Sequence, residues 1–380
     1  MKSATQSAVL LSRRKAIMVA LLAVALTSCV SRTALGGQRV VAYYPSWATN
    51  TYPHTKVDYS QLTHLAHAFV WPLTNGTLHV PNGFLYPQLV QAAHAHGVNI
   101  VVSLGGQNGS TKGFPAMAND PAARSNFVQQ LTSFCVSNNY DGADIDWEYP
   151  GNEMDRTNLT LLVHELRAAF DAVNPGWTLS AAVGKTHARG QWLDVDQIKQ
   201  SLDWFGVMTY NYHGPWSTHA GHHSPLYGSA SDPHGLSYST HGELEYYRSR
   251  GIPEEKLLLG IAFYGRQFIA TNLYASSTGG DPVLYPAIRR DISNGWTRVW
   301  DNTSMVPYLR SPTNVPPRLI TYSDEQSVQY KCEYVRSHGL GGVIIWALGQ
   351  DLYQGQTPLL SVIGPNLLRA TNHVVHGEAK

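Results

Sequence analysis

Short apolar runs recur along the chain at 40–44, 62–70, 98–104, 141–147, 177–183, 204–210, 257–264 and 341–346, each followed by a polar or helix-patterned stretch. Their length and their content of β-branched and aromatic residues read as strands. Between them, helical spacing predicts helices over 87–96, 157–172, 195–202, 242–250 and 324–337, and a further helix opening on Asp120 as cap with Pro121 at its first position. Strands that alternate with helices pair in parallel, and eight such units over about 340 residues imply an α/β fold, a (β/α)8 TIM barrel. A doubly wound open sheet is the alternative, but no GxGxxG follows the first run. The stretch 269–318 is too long for a loop and carries apolar runs of its own (VLYPAI, TRVW, MVPYL), so it reads as a small subdomain inserted between strands 7 and 8.

The fourth run, DGADIDWEYP at 141–150, packs carboxylates into an apolar strand. Side chains alternate along a strand, so Asp144, Asp146 and Glu148 share one face while Ala143, Ile145 and Trp147 share the other. In a barrel the apolar face belongs under the helices. The acidic face then points inward and climbs toward the C-terminal mouth, where barrel enzymes place their active sites. Three such close carboxylates share a proton and raise one another's pKa, the condition for a general acid near neutral pH. A surface acidic strand would lack the apolar face, and a site for a hard cation would draw its oxygens from freer loops. Asp141 lies out of phase with the three and is expected to serve the base of the strand.

Charge and composition narrow the partner. Formal net charge is +1 with no basic run, which excludes the electrostatic footprint of a nucleic-acid binder. Ten tryptophans and 21 tyrosines suit the stacking of flat, polar-rimmed ligands such as sugars, though they serve cores as well. At the N-terminus, Arg13, Arg14 and Lys15 precede the apolar run 17–26, too short to span a bilayer and of the length of a signal-peptide core. It ends in Leu26-Thr27-Ser28-Cys29, which resembles a bacterial lipobox with Cys29 as the lipidated residue; a plain secretory signal is the alternative. Residues 1–36 are therefore an export segment, 37–370 the barrel domain and 371–380 a tail. The expected location is the cell envelope, as a lipoprotein, or the exterior, and the only membrane contact is that lipid anchor. Cys135 and Cys332 fall at core positions of helices, and no disulfide is implied. Seventeen histidines show no HExxH or other ligand spacing, and His64, His67, His94, His96, His222 and His223 read as structural or surface residues, so neither metal nor cofactor is expected.

Asp141-x-x-Asp144-x-Asp146-x-Glu148 followed by Tyr149-Pro150 resembles the DxxDxDxE signature of glycoside hydrolase family 18, the chitinase family. Ser103-Leu104-Gly105-Gly106 resembles that family's SxGG, Met208-Thr209-Tyr210-Asn211-Tyr212-His213-Gly214 its MTYDxHG, and Gly260 to Arg266 (GIAFYGR) and Gly341 to Trp346 (GGVIIW) its motifs on the last two strands. Trp300-Asp301 and Val306-Pro307-Tyr308-Leu309 resemble parts of the small α+β insertion of many chitinases. The likeness covers about residues 39–352 and implies cleavage of β-1,4-linked N-acetylglucosamine in chitin or chitooligosaccharides by a retaining, substrate-assisted mechanism. It implies Glu148 as acid, Asp146 as the partner of the substrate's acetamido group, Asp144 as the manager of a shared proton and Tyr210 as donor to the acetamido oxygen. It further implies that Tyr43 and Ser103 support the aspartates and Trp346 floors the cleft. Met208, Asn211, Tyr264, Arg266, Trp47, Trp147 and Trp216 join it as substrate-binding candidates, in a monomer. Asn211 stands where the family usually has Asp, from which a shifted pH optimum is expected. Ala143 and Ala42 replace a larger residue and a glycine at packing positions. Two other functions stay open: an endo-β-N-acetylglucosaminidase acting on N-glycans or peptidoglycan, and a chitin-binding lectin without hydrolysis, against which the presence of Glu148 argues.

Overall fold

Eight parallel strands close into a barrel in the computed structural model, which describes residues 37–185, 187–312 and 316–368. The export segment with Cys29 and the tail 371–380 lie outside the described residues. The strands are β1 Arg39–Pro45, β2 His64–Pro72, β3 Asn99–Gly105, β4 Gly142–Asp146, β5 Thr178–Val183, β6 Trp204–Val207, β7 Leu257–Ala262 and β8 Gly342–Trp346. Closure comes from β1, which pairs with β8 on one side and β2 on the other. Each expected run contributes one strand, with three ends that differ. β4 stops at Asp146, so Glu148 stands just beyond its strand. β6 stops at Val207, where Thr209 and Tyr210 donate their N–H groups back to Val207 and Met208 and curl the chain away. The run 257–264 divides, since Tyr264 opens a strand of a second sheet.

Helices α1 Pro87–Ala95, α2 Gly106–Asn119, α3 Pro121–Asn138, α4 Glu153–Val173, α5 Val195–Ile198, α6 Thr240–Ser249, α7 Tyr285–Ser293, α8 Glu325–Ser337 and α9 Leu360–Leu367 complete the chain. Asp120 caps α3 as its sequence position suggests, accepting from the N–H groups of Ala122 and Ala123. α5 is a single turn, shorter than expected. Cys135 and Cys332 are free and fully buried under these helices. No helix among the described residues is long and apolar enough to cross a membrane.

Strand parity sorts the core into two layers. Val40, Ala42, Tyr44, Val102, Leu104, Ala143, Ile145 and Trp147 pack outward against the helices, while Val41, Tyr43, Val101, Ala66 and Ala68 fill the barrel interior. Between β7 and β8 the chain builds a five-stranded antiparallel sheet in the order 278–284, 264–269, 318–321, 306–310, 297–301, with α7 between its strands.

Asp141 ties the base of the barrel. Its Oδ2 accepts from the Ile100 N–H at 2.7 Å and from His94 Nε2 at 2.8 Å, and its backbone pairs with Ile100 and Thr178, so one residue clamps three strands. Replacement by Ala leaves a strand N–H without its acceptor, and the expected cost is about 1–3 kcal/mol in denaturant unfolding. An unchanged midpoint would show that the clamp carries no stability.

Candidate active site

The acidic face of β4 does point into the barrel, and each carboxyl meets a different environment. Asp144, at the bottom, accepts three hydroxyls: Ser180 from β5 at 2.7 Å, Tyr43 from β1 at 2.8 Å and Ser103 from β3 at 2.9 Å. Burial raises its pKa, and the three donors offset only part of that rise. Asp146 is buried above it. Desolvation, then the charge of Glu148, then that of Asp144 hold its pKa well above the ordinary range, so this is the carboxyl that keeps a proton. Glu148, past the strand end, is only partly exposed. Burial raises its pKa, opposed by the Tyr149 hydroxyl and by the cations Lys185 and Arg189. Burial among these groups pushes Lys185 itself down to about 8.

The mouth is walled by aromatics and polar groups. Tyr210 and Met208 are buried in the interior layer with Tyr43, Tyr264 and Ala262, and the half-buried Trp346 packs on it. Trp346 stacks on Phe69 at 5.7 Å, with Tyr43 at 5.6 Å and the exposed Trp47 at 6.4 Å. The glycine that follows β3 is required by this packing. Gly106 has φ +66°, and a Cβ there would come within 2.5 Å of the Phe69 ring. On the opposite rim, Asn211 adopts φ 61° and its Oδ1 accepts from Tyr264 Oη at 2.7 Å and from Arg266 Nη2 at 2.7 Å. The Arg266 guanidinium also lies 5.1 Å from the centre of the exposed Trp216 ring.

One candidate leaves the site. Trp147 is buried on the outer layer, stacked on Phe114 at 5.2 Å, because its parity is that of Ala143 and Ile145 and opposite to the carboxylates. It cannot meet a ligand in the barrel mouth. Four participants were not singled out from sequence. Ser180 was legible as one of two hydroxyls at inward parity in TLSAAV, the one nearer the mouth, and Lys185 and Arg189 as cations just past the end of β5, the mouth side. Phe69 carries no such sign, since only the closed barrel brings it over Trp346.

The model of the family described as Glycosyl hydrolases family 18 matches residues 39–351. The endochitinase of Manduca sexta is 28% identical over 90% of this chain and 69% of its own length. Probable chitinase 2 of Drosophila melanogaster is 30% identical over 84% of this chain and 73% of its own. The crystal structure of Ostrinia furnacalis Group IV chitinase has a TM-score of 0.81 at 28% identity, covering 87% of this chain and 100% of that one. Its complex with allosamidin gives 0.79 at 29% identity, covering 86% and 98%.

The raised pKa of Asp146 has a consequence for stability. A carboxyl whose folded pKa lies above its unfolded value favours folding when protonated, so stability is greatest below about pH 4 and falls as pH rises toward the folded value. Asp146→Asn removes that slope. The expected result is equal melting temperatures near pH 4 and a more stable variant at pH 7–8, read by calorimetry across pH; a wild type that stays the more stable at pH 8 would overturn it.

Proposed function

The chain belongs to glycosyl hydrolases family 18, and from that membership we propose that it is a chitinase, cleaving β-1,4 bonds between N-acetylglucosamine units with retention of configuration. The single observation that carries this reading is the graded column Asp144, Asp146, Glu148: a bottom carboxyl held by three hydroxyls, a proton-keeping middle, and a partly exposed acid.

Each member has a step. Glu148 gives its proton to the glycosidic oxygen, and the bond to the anomeric carbon breaks as the substrate's own 2-acetamido carbonyl oxygen attacks that carbon. The product is a cyclic oxazolinium ion, so no enzyme nucleophile is needed. Asp146 takes the acetamido N–H and stabilises the positive charge that develops beside it. Asp144, fixed from below, is the charge with which Asp146 shares its proton. Tyr210 donates to the acetamido oxygen. Glu148, now a carboxylate, then removes a proton from water as the water opens the ion from the face the leaving sugar vacated. Trp346 floors the cleft beneath the distorted sugar. Trp47 and Trp216 offer flat faces further along, and Asn211, Tyr264, Arg266 and Met208 line the wall. Export through residues 1–36, with Cys29 as anchor, belongs to the same proposal and sets the enzyme facing extracellular polymer.

The test is turnover of a chromogenic chitotrioside and of a longer chitooligosaccharide with the anomers resolved by NMR. Expected are a β-anomer as first product, inhibition by allosamidin, and a fall in kcat of about 10²–10⁴-fold in Glu148→Gln. Oligomer binding without turnover would make the protein a lectin. Turnover of N-glycan or peptidoglycan alone would change the substrate, and intact turnover in Glu148→Gln would remove the mechanism.

Lys185 supplies a second measurement. It lowers the pKa of Glu148, and the alkaline limb of kcat/KM follows loss of the Glu148 proton. Lys185→Met is expected to move that limb to higher pH, and a limb that stays in place would show that the two groups do not couple.

A further inference from the structure

Three imidazoles that lie far apart in sequence meet on the long segment between β6 and α6. His213, His219 and His234 each present one ring nitrogen within 4.8 Å of the other two. Ring centres lie 4.9 Å apart for His213 and His219, 5.6 Å for His213 and His234, and 5.3 Å for His219 and His234. His213 and His219 are more than nine-tenths buried, whereas His234 is exposed.

One carboxylate organises the three. Asp232 Oδ2 accepts from His213 Nε2 at 2.8 Å, and Asp232 Oδ1 accepts the backbone N–H of His234 at 2.9 Å and lies 3.6 Å from His219 Nε2. The turn that delivers His234 is closed by the Gly235 N–H on the Asp232 carbonyl. Because a carboxylate must be the acceptor, the proton of His213 sits on Nε2 and the lone pair on Nδ1 is free. That Nδ1, and Nε2 of His219, are buried and have no hydrogen-bond partner among the described residues. Thr218 Oγ1 lies 3.5 Å from the other nitrogen of His219. Gly221 packs flat on the His213 ring, where a Cβ would come within 2.3 Å, so the ring cannot turn away.

We propose that His213, His219 and His234, with Asp232 behind them, form a zinc site. Buried imidazole nitrogens left unpartnered are destabilising, and a cation placed between them removes that penalty. Three imidazole nitrogens with an open fourth position suit a borderline cation that takes four tetrahedral ligands, and not calcium or magnesium, which take six or more oxygens. A tetrahedral ion sits about 2.0–2.1 Å from each nitrogen, closer than the gathered rings now stand. The closing movement falls to His234, the exposed member on a turn. Solvent fills the fourth position, since Asp232 is engaged on the far side of the His213 ring. The Asp232–His213 pair is the carboxylate–imidazole arrangement that orients a ligand and raises its basicity.

The ion would act as a staple. Residues 218–220 pair with 274–277 of the inserted region through the Ala220 N–H to Ala275 O at 3.0 Å and the Tyr274 N–H to Ala220 O at 2.7 Å. His213 closes the segment that carries Asn211, and Trp216 stands between it and His219. Bound zinc thus fixes one wall of the mouth to the inserted sheet.

The experiment uses the full chain without a polyhistidine tag, stripped with chelator and titrated with zinc by calorimetry, with metal content read by mass spectrometry and melting temperature followed alongside. Expected are one zinc per chain, a melting temperature raised by zinc and lowered again by chelator, and affinity reduced at least tenfold in His234→Ala. Asp232→Asn should weaken binding by about 10–100-fold. His96→Ala, an exposed histidine elsewhere, should match the wild type. The metal-free melting temperature of His234→Ala should equal that of the metal-free wild type, since its side chain is exposed. Absence of a stoichiometric site, equal affinity in His234→Ala and wild type, or calcium binding as tightly as zinc would each overturn the proposal.

Discussion

Burying a carboxylate inside a barrel is costly, and the rest of this molecule is arranged around doing it twice on one strand, with a third carboxyl just beyond its end. Nothing in an apolar interior compensates the charge of Asp144 except hydroxyls brought by other strands, and these come from β1, β3 and β5. Only a closed sheet can deliver three donors from separate strands to one oxygen pair. The site therefore depends on closure, and closure rests in part on the clamp that Asp141 provides beneath it. Activity and stability pull apart at Asp146, whose burial next to two other acids disfavours the folded state at neutral pH and supplies the charge-sensitive environment the chemistry needs.

Above the strand the balance changes sign. The carboxyl of Glu148 is met by Lys185, Arg189 and, further along the rim, Arg266, all set beyond the C-terminal ends of β5 and β7. Aromatic rings separate and screen these cations: Arg189 lies over Tyr149 at 4.9 Å, Lys185 over Trp216 at 5.7 Å, and Arg266 over the same tryptophan. A vertical gradient results, negative and dry at the base, positive and aromatic at the mouth. A neutral polyhydroxylated chain with acetamido groups can lie across such a boundary with its amide toward the acids and its rings on the aromatics.

Much of this was readable from strand parity. The period of two assigned Asp144, Asp146 and Glu148 to the interior and Ala143 and Ala42 to the outer layer, and the structure agrees. The same parity also assigns Trp147 to the outside, and treating it as a sugar platform set residue type above position. Strand ends were less legible, because the turns after Asp146 and Val207 are fixed by contacts the local sequence does not contain. The three histidines show the limit most clearly. Ligand-spacing rules describe helices and short loops, whereas His213, His219 and His234 are gathered by a carboxylate 19 residues from His213, a local turn and a pairing with residues 274–277.

Asn211 is where local sequence and charge balance meet. Its side-chain oxygen already accepts from Tyr264 and from Arg266, so the amide reproduces the hydrogen bonds an aspartate would make. What it omits is the negative charge. Arg266 then keeps its full field toward the mouth, and His223, whose Nδ1 accepts the Asn211 N–H, is held neutral by burial beside Arg266, Lys331 and Lys185. An aspartate at 211 would add a negative charge beside Arg266, and the expected effect is a higher pKa for Glu148 than with the neutral amide. The amide thus keeps the hydrogen bonds of the rim beside Tyr210 while removing a charge, and its expected consequence is a shift in the acid's titration rather than a change in the geometry of the cleft.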